Sequence, residues 1–126
     1  MNYSLIFPGQ GAQFVGMARD FVDHSSAAKD VFAEADEVLG YQLSNICFDG
    51  PEDKLTATNI AQPAIYTCSL AALAAFEEHA QSVIVPVQTA GLSLGEYTAM
   101  CAAKVFGFAD GLRLVKLRGE AMQSAS

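Results

Sequence analysis

The chain is poor in positive charge: seven Lys and Arg stand against fourteen Asp and Glu, a formal net charge of -7. That balance opposes binding to nucleic acid or to an anionic membrane surface. Histidine is scarce, with His24 and His79 isolated from one another, and Cys47, Cys68 and Cys101 show no CxxC spacing. A metal site is disfavoured on both counts. Each cysteine lies in an apolar neighbourhood and reads as a buried free thiol of a reducing compartment. No stretch approaches the ~20 apolar residues of a membrane span, and the N-terminus lacks a basic segment followed by a long apolar core. Cytoplasmic residence is the expectation.

What remains is 126 residues, 52% of them hydrophobic, enough for one small domain or a piece of one. Tyr3 to Phe7 is a short apolar run cut by Pro8 and Gly9, a buried strand running into a loop. Ser25 or Ser26 can cap a helix through about Leu39, with Val31, Ala35 and Val38 at helical spacing and Gly40 as the stop. Asp49-Gly50-Pro51 marks a turn, and Pro51 suits the first turn of a brief helix through Leu55. Asn59 to His79 reads as a largely buried helix entered near Pro63, and Val83 to Ala90 as a second buried strand. Two helices close the chain, one after Ser93 and one from about Phe108 to Met122, with Phe108, Leu112, Val115 and Met122 on one face. The fold class is α/β: a partial parallel sheet with flanking helices, whose other strands lie elsewhere.

The pentapeptide Gly91-Leu92-Ser93-Leu94-Gly95 falls between the strand-like run at Val83 to Val87 and the helix-like run at Gly95 to Ala103. A nucleophile elbow needs that context. The turn is so tight that neighbouring side chains would collide with the backbone, so glycines two residues either side of the serine relieve it. Ser93 then projects its hydroxyl beside the first helical N–H groups, whose partial positive charge favours the oxyanion of an acyl intermediate. Gly9-Gln10-Gly11 follows the first strand, but the lysine and hydroxyl of a phosphate-binding loop are missing and Phe14 replaces the third glycine of a dinucleotide fingerprint. An ordinary tight turn is the plain alternative there. Arg118, between Leu117 and Gly119, reads equally as a solvated or snorkelling helix residue.

Five stretches together point to a family: Phe7 to Gln13 (FPGQGAQ), Asn59 to Tyr66 (NIAQPAIY), Gly91 to Glu96 (GLSLGE), Glu96 to Ala103, and Phe108 to Gln123 (FADGLRLVKLRGEAMQ). In these the chain resembles the N-terminal part of the malonyl-CoA:acyl-carrier-protein transacylases, which load extender units in fatty-acid synthesis. The resemblance implies that Ser93 is the nucleophile, that the backbone N–H groups of Gln10 and Leu94 form the oxyanion hole, and that Arg118 pairs with the free carboxylate of the malonyl group. A planar guanidinium can hold a carboxylate through two parallel hydrogen bonds. Gln62 matches the glutamine of a TQPA-like motif, with Ala61 in place of threonine, and Gly91 and Gly95 support the elbow. Leu92 departs from the pattern, since the family usually carries histidine there. Leu94 is the apolar type that accompanies malonyl rather than methylmalonyl selection.

The resemblance further implies malonyl-CoA and acyl carrier protein as partners, a coenzyme A thioester as substrate, and no metal or redox cofactor. Residues 1–126 would then be the N-terminal part of the large α/β subdomain. The small subdomain, the remaining strands and the catalytic histidine would lie downstream, and this chain alone would not turn over. Two rivals remain open: a serine hydrolase or thioesterase sharing the elbow, and a non-catalytic remnant or interaction module. Arg118 separates the first, because a hydrolase of neutral esters needs no such cation.

Overall fold

In the computed structural model, which describes residues 2–126, nine elements follow in order: β1 (Ser4–Phe7), α1 (Arg19–His24), α2 (Ser26–Leu39), α3 (Leu43–Asp49), α4 (Glu52–Thr56), α5 (Thr58–Ala80), β2 (Gln88–Gly91), α6 (Leu94–Ala102) and α7 (Phe108–Ala125). The two strands pair in parallel, with Ser4 opposite Gln88 and Phe7 opposite Gly91. Parallel pairing needs a long crossover, here supplied by α1 to α5. Among the described residues no helix is long and apolar enough to cross a membrane.

The larger core forms where α2, α3, α5 and α7 meet, around Phe32, Leu43, Ile65, Tyr66, Leu112 and Val115. Tyr66 is fully buried, stacks on Phe108 at 5.5 Å and donates its hydroxyl to the Phe108 carbonyl at 3.0 Å. Burial drives its pKa upward, so it remains a neutral donor. A smaller cluster, Phe7 with Ala99 and Ala102, joins the sheet to α6.

Ser25 caps α2 by accepting from the Ala28 N–H, and Gly40 closes it in the left-handed conformation. A second cap comes from α5: Glu78 accepts from the Ser25 hydroxyl, from the Ser26 hydroxyl at 2.6 Å and from the Ala27 N–H at 3.1 Å. A carboxylate at a helix N-terminus also meets the favourable end of the dipole.

Several sequence expectations are corrected. The second strand is Gln88–Gly91, not Val83 to Ala90, because pairing is limited by the four residues of β1 and Pro86 has no N–H to give. Neither strand is fully buried. Leu5 and Phe7 of β1 and Thr89 and Gly91 of β2 turn toward α6, whereas Ser4, Ile6, Gln88 and Ala90 face outward. Ile6 is 82% exposed, and Val83, Val85 and Val87, in the segment leading into β2, are exposed as well. The helix α5 runs Thr58–Ala80, as expected from about Asn59 to His79, but it is entered at Thr58 rather than near Pro63, with Gln123 of α7 accepting from the Thr58 N–H at 3.0 Å. Pro63 sits inside the helix and leaves the Asn59 carbonyl without its usual intrahelical donor. Met122 lies outside the core, 42% exposed, and Cys68 is half-buried rather than buried.

Candidate active site

Ser93 stands between β2 and α6, in the turn that begins at Leu92. Its backbone has φ 57° and ψ −109°, a region that non-glycine residues rarely occupy and that costs roughly 1–3 kcal/mol. The turn is held by two backbone bonds, Gly95 N–H to the Leu92 carbonyl and Glu96 N–H to the Ser93 carbonyl, both 3.0 Å. A Cβ on Gly91 would lie 2.0 Å from the Gly95 carbonyl oxygen, and one on Gly95 would lie 2.4 Å from the Phe7 oxygen. Only hydrogen fits at either position, which is why this strand can turn into this helix so sharply and lie against β1.

The loop after β1 meets the elbow directly. A Cβ on Gly9 would stand 2.5 Å from the Leu92 carbonyl oxygen and 3.9 Å from the Leu94 nitrogen, so the backbone of Pro8 to Gln10 passes against the turn. Neither the Gln10 N–H nor the Leu94 N–H finds an acceptor among the described residues. For Leu94 this follows from its place at the head of α6, where the first N–H groups have no intrahelical partner. The Gln10 side chain turns away and donates to Thr58 Oγ1 at 3.1 Å, tying the loop to the start of α5.

Three more residues converge on the serine. Arg118 of α7 donates through Nη2 to Ser93 Oγ at 2.9 Å and through Nη1 to Gln62 Oε1 at 2.8 Å. Gln62 is fully buried on α5, and its amide nitrogen donates to Met122 Sδ at 3.1 Å. The guanidinium also lies over the Tyr97 ring of α6, 5.5 Å from the centroid. The close approach of α7 to α5 makes this possible, since a Cβ on Gly119 would stand 3.2 Å from the Thr58 oxygen. The sequence pointed to Gln62 only through its match to a TQPA-like motif and gave no role to Tyr97. The signal for Tyr97 was its place four residues after Ser93, in the first turn of the helix that follows the elbow.

Arg118 has no carboxylate partner among the described residues, whereas Arg19 pairs with Asp49 and Arg113 with Asp110. Its charge is oriented by neutral groups only and stays available to an anion. Leu92 projects into solvent at 78% exposure, an apolar side chain at the rim beside the nucleophile.

Neither histidine reaches this place. His79 lies at the far end of α5, seventeen residues beyond Gln62 and so roughly 25 Å along the helix axis. His24 ends α1 and lines the same groove as His79. Among the described residues no three or more His, Cys, Asp and Glu gather as a metal would need. The Cys68 thiol is pushed up by its contact with Cys47 and by burial, and burial raises Cys101 as well. Both remain protonated and poorly nucleophilic.

The acyl transferase domain family matches residues 4–126. The malonyl CoA-acyl carrier protein transacylase of Bacillus subtilis (strain 168) is 47% identical over 122 residues, covering 97% of this chain and 38% of that protein. The human mitochondrial malonyl-CoA-acyl carrier protein transacylase is 44% identical over 123 residues, covering 97% and 31%. Among solved structures, the malonyl CoA-acyl carrier protein transacylase from Clostridium perfringens superposes with a TM-score of 0.89 at 40% identity, over 100% of this chain and 39% of that one. A malonyl-transacylase solved in complex with a type II PKS acyl-carrier protein gives a TM-score of 0.91 at 40% identity, over 100% and 40%. The chain therefore spans less than half the length of the relatives it matches.

Proposed function

Because the chain belongs to the acyl transferase domain family, we propose that it is the nucleophile-bearing part of an enzyme that moves a malonyl group from coenzyme A to the phosphopantetheine thiol of an acyl carrier protein. The observation that carries this reading is the unpaired guanidinium of Arg118 lying 2.9 Å from the Ser93 hydroxyl oxygen. An acyl group attached at Ser93 extends past that cation. A malonyl group ends in a carboxylate that can pair with it; an acetyl group would leave it unpaired.

In the forward half-reaction Ser93 Oγ attacks the thioester carbonyl carbon. The carbonyl electrons move onto oxygen, which the Gln10 and Leu94 N–H groups stabilise. Collapse expels the coenzyme A thiolate, which is protonated, and leaves a malonyl-Ser93 ester. The carrier-protein thiol then attacks that ester and releases Ser93. The serine proton needs a base, and the resemblance assigns that role to a histidine downstream of these residues, since His24 and His79 stand far off. Without it these residues alone do not turn over, as loss of the base in serine enzymes costs several orders of magnitude. No metal or redox cofactor enters this scheme. A reducing cytoplasm suits its three free thiols.

In the full-length protein, Arg118→Ala should lower malonyl transfer by about 10- to 100-fold, the equivalent of ~1.5–3 kcal/mol for hydrogen bonds to a charged group. Transfer of acetyl should survive or rise, and Ser93→Ala should abolish both. Equal losses for malonyl and acetyl thioesters in Arg118→Ala would overturn the reading.

A further inference from the structure

We propose that Tyr97 is a positioning residue, whose ring carries the Arg118 guanidinium and thereby sets which acyl groups Ser93 accepts. The inference rests on the reading of Arg118 as the carboxylate clamp. Three neutral groups locate that guanidinium: Gln62 Oε1 at 2.8 Å, Ser93 Oγ at 2.9 Å, and the Tyr97 ring at 5.5 Å. The two hydrogen bonds fix it within its own plane. An aromatic ring within about 6 Å supplies the remaining support, and does so without neutralising the charge.

The spacing makes the arrangement stiff. Ser93 is the residue immediately before α6 and Tyr97 lies in the first turn of that helix, so nucleophile and platform are held together through one helix start. The ring is half-buried and packs against the larger core. Its hydroxyl donates to no acceptor among the described residues, which leaves the ring as the part that acts on Arg118. Arg19 offers the contrast. It lies over Phe48 at 5.6 Å, yet its guanidinium is also bonded to Asp49 at 3.1 Å, so its charge is already answered.

Once Ser93 carries an acyl group its oxygen is an ester oxygen and a weaker acceptor for Arg118. Gln62 and Tyr97 are then the contacts left to hold the guanidinium where a malonyl carboxylate arrives. Removing the ring should widen the positions open to the guanidinium and blunt the preference for an acyl group with a terminal charge.

The test is the ratio of kcat/KM for malonyl-CoA to that for acetyl-CoA in the full-length protein. Tyr97→Phe keeps the ring and should hold the ratio within about 2-fold of wild type. Tyr97→Leu should lower it by roughly 3- to 30-fold, the range a cation–π contact spans, chiefly through a higher KM for malonyl-CoA. Should Tyr97→Leu not fold, Tyr97→Met makes the same comparison with a flexible side chain. A wild-type ratio in these non-aromatic variants overturns the proposal, as does a Tyr97→Phe protein as impaired as Tyr97→Leu. Arg118→Ala measured in parallel separates the two levels. If it leaves the ratio intact, the clamp reading falls and this inference with it; if it collapses the ratio while Tyr97→Leu does not, this inference alone falls.

Discussion

Two hydrogen atoms set the shape of the elbow. Gly91 and Gly95 each present a Cα to backbone oxygens that a methyl group would strike, at 2.0 and 2.4 Å. Gly95→Ala should therefore either push β1 away from α6 or unwind the first turn of α6, since the obstacle is the Phe7 carbonyl and not a flexible side chain. We expect a loss of stability of a few kcal/mol, on the scale of overpacked backbone sites, read as a lower denaturation midpoint. Ser93 should also lose its alignment and activity fall further than stability alone dictates. A Gly95→Ala protein with wild-type midpoint and activity would show that the approach is softer than it looks. The elbow was legible in the sequence because its constraint is local: five consecutive residues state it. The grouping of Gln62, Tyr97 and Arg118 was legible only in part: the resemblance named Gln62 and Arg118, but their contact, and the part of Tyr97 in it, arise only when α5, α6 and α7 pack.

Among the elements, α2 depends on a residue of α5. Glu78 takes three hydrogen bonds from the N-terminus of α2, and those bonds, from Ser25 first, then Ser26 and Ala27, lower its pKa from 4.5 to about 2. A carboxyl more acidic in the folded protein than in the unfolded chain stabilises the fold wherever it is ionised in both. Its contribution is complete above about pH 4.5 and is lost as pH falls toward about 2. Glu78→Gln should thus lower the denaturation midpoint at pH 7, and the difference from wild type should narrow steadily between pH 4.5 and 2. A difference that persists unchanged at the acid end would assign the effect to packing instead. The same element scale explains where sequence reading failed. Hydrophobicity marks Val83 to Val87 as a strand, yet the partner strand decides which residues pair, and of these only the Val87 N–H is bonded toward that strand, to the carbonyl of Tyr3 just before β1, at 2.8 Å. Likewise Pro63 looked like a helix entrance, but α5 already starts at Thr58, whose N–H is taken by Gln123, sixty-five residues away. By contrast the ends of α2 were legible, with Ser25 and Gly40 where the sequence put them.

For the molecule as a whole, the sheet is the exposed part. Its outward face carries Ile6 and Ala90, both strands keep an open edge, and a groove of about 540 Å³ runs between β1 and α5, past Tyr3, Leu73 and Phe76. Apolar strands with open edges invite pairing with other chains. Purified by itself, the 126-residue chain should associate at micromolar concentration, seen as early elution from a sizing column and as binding of a hydrophobic dye. Ile6→Lys, which places a charge on the outward face, should reduce that association without touching the elbow. A monodisperse wild-type chain that binds no dye would contradict this account.

The pairing of Ser4 with Gln88 has a consequence in time. Each half of the elbow's surroundings is made at a different moment of synthesis: β1 leaves the ribosome first, and its only partner among the described residues follows eighty-four positions later. At about 5–20 residues per second the first strand waits roughly 4 to 17 s, unpaired, while the helical crossover is still being translated. The helices α2 to α5 can pack on one another in that interval, but the serine cannot be placed until β2 arrives and the longest loop in the chain has closed. Slow codons between residues 40 and 80 would lengthen the exposure of β1 and favour a nascent-chain chaperone at Leu5 to Phe7; slow codons after Gly91 would let the strand pair form before α7 brings Arg118 to it.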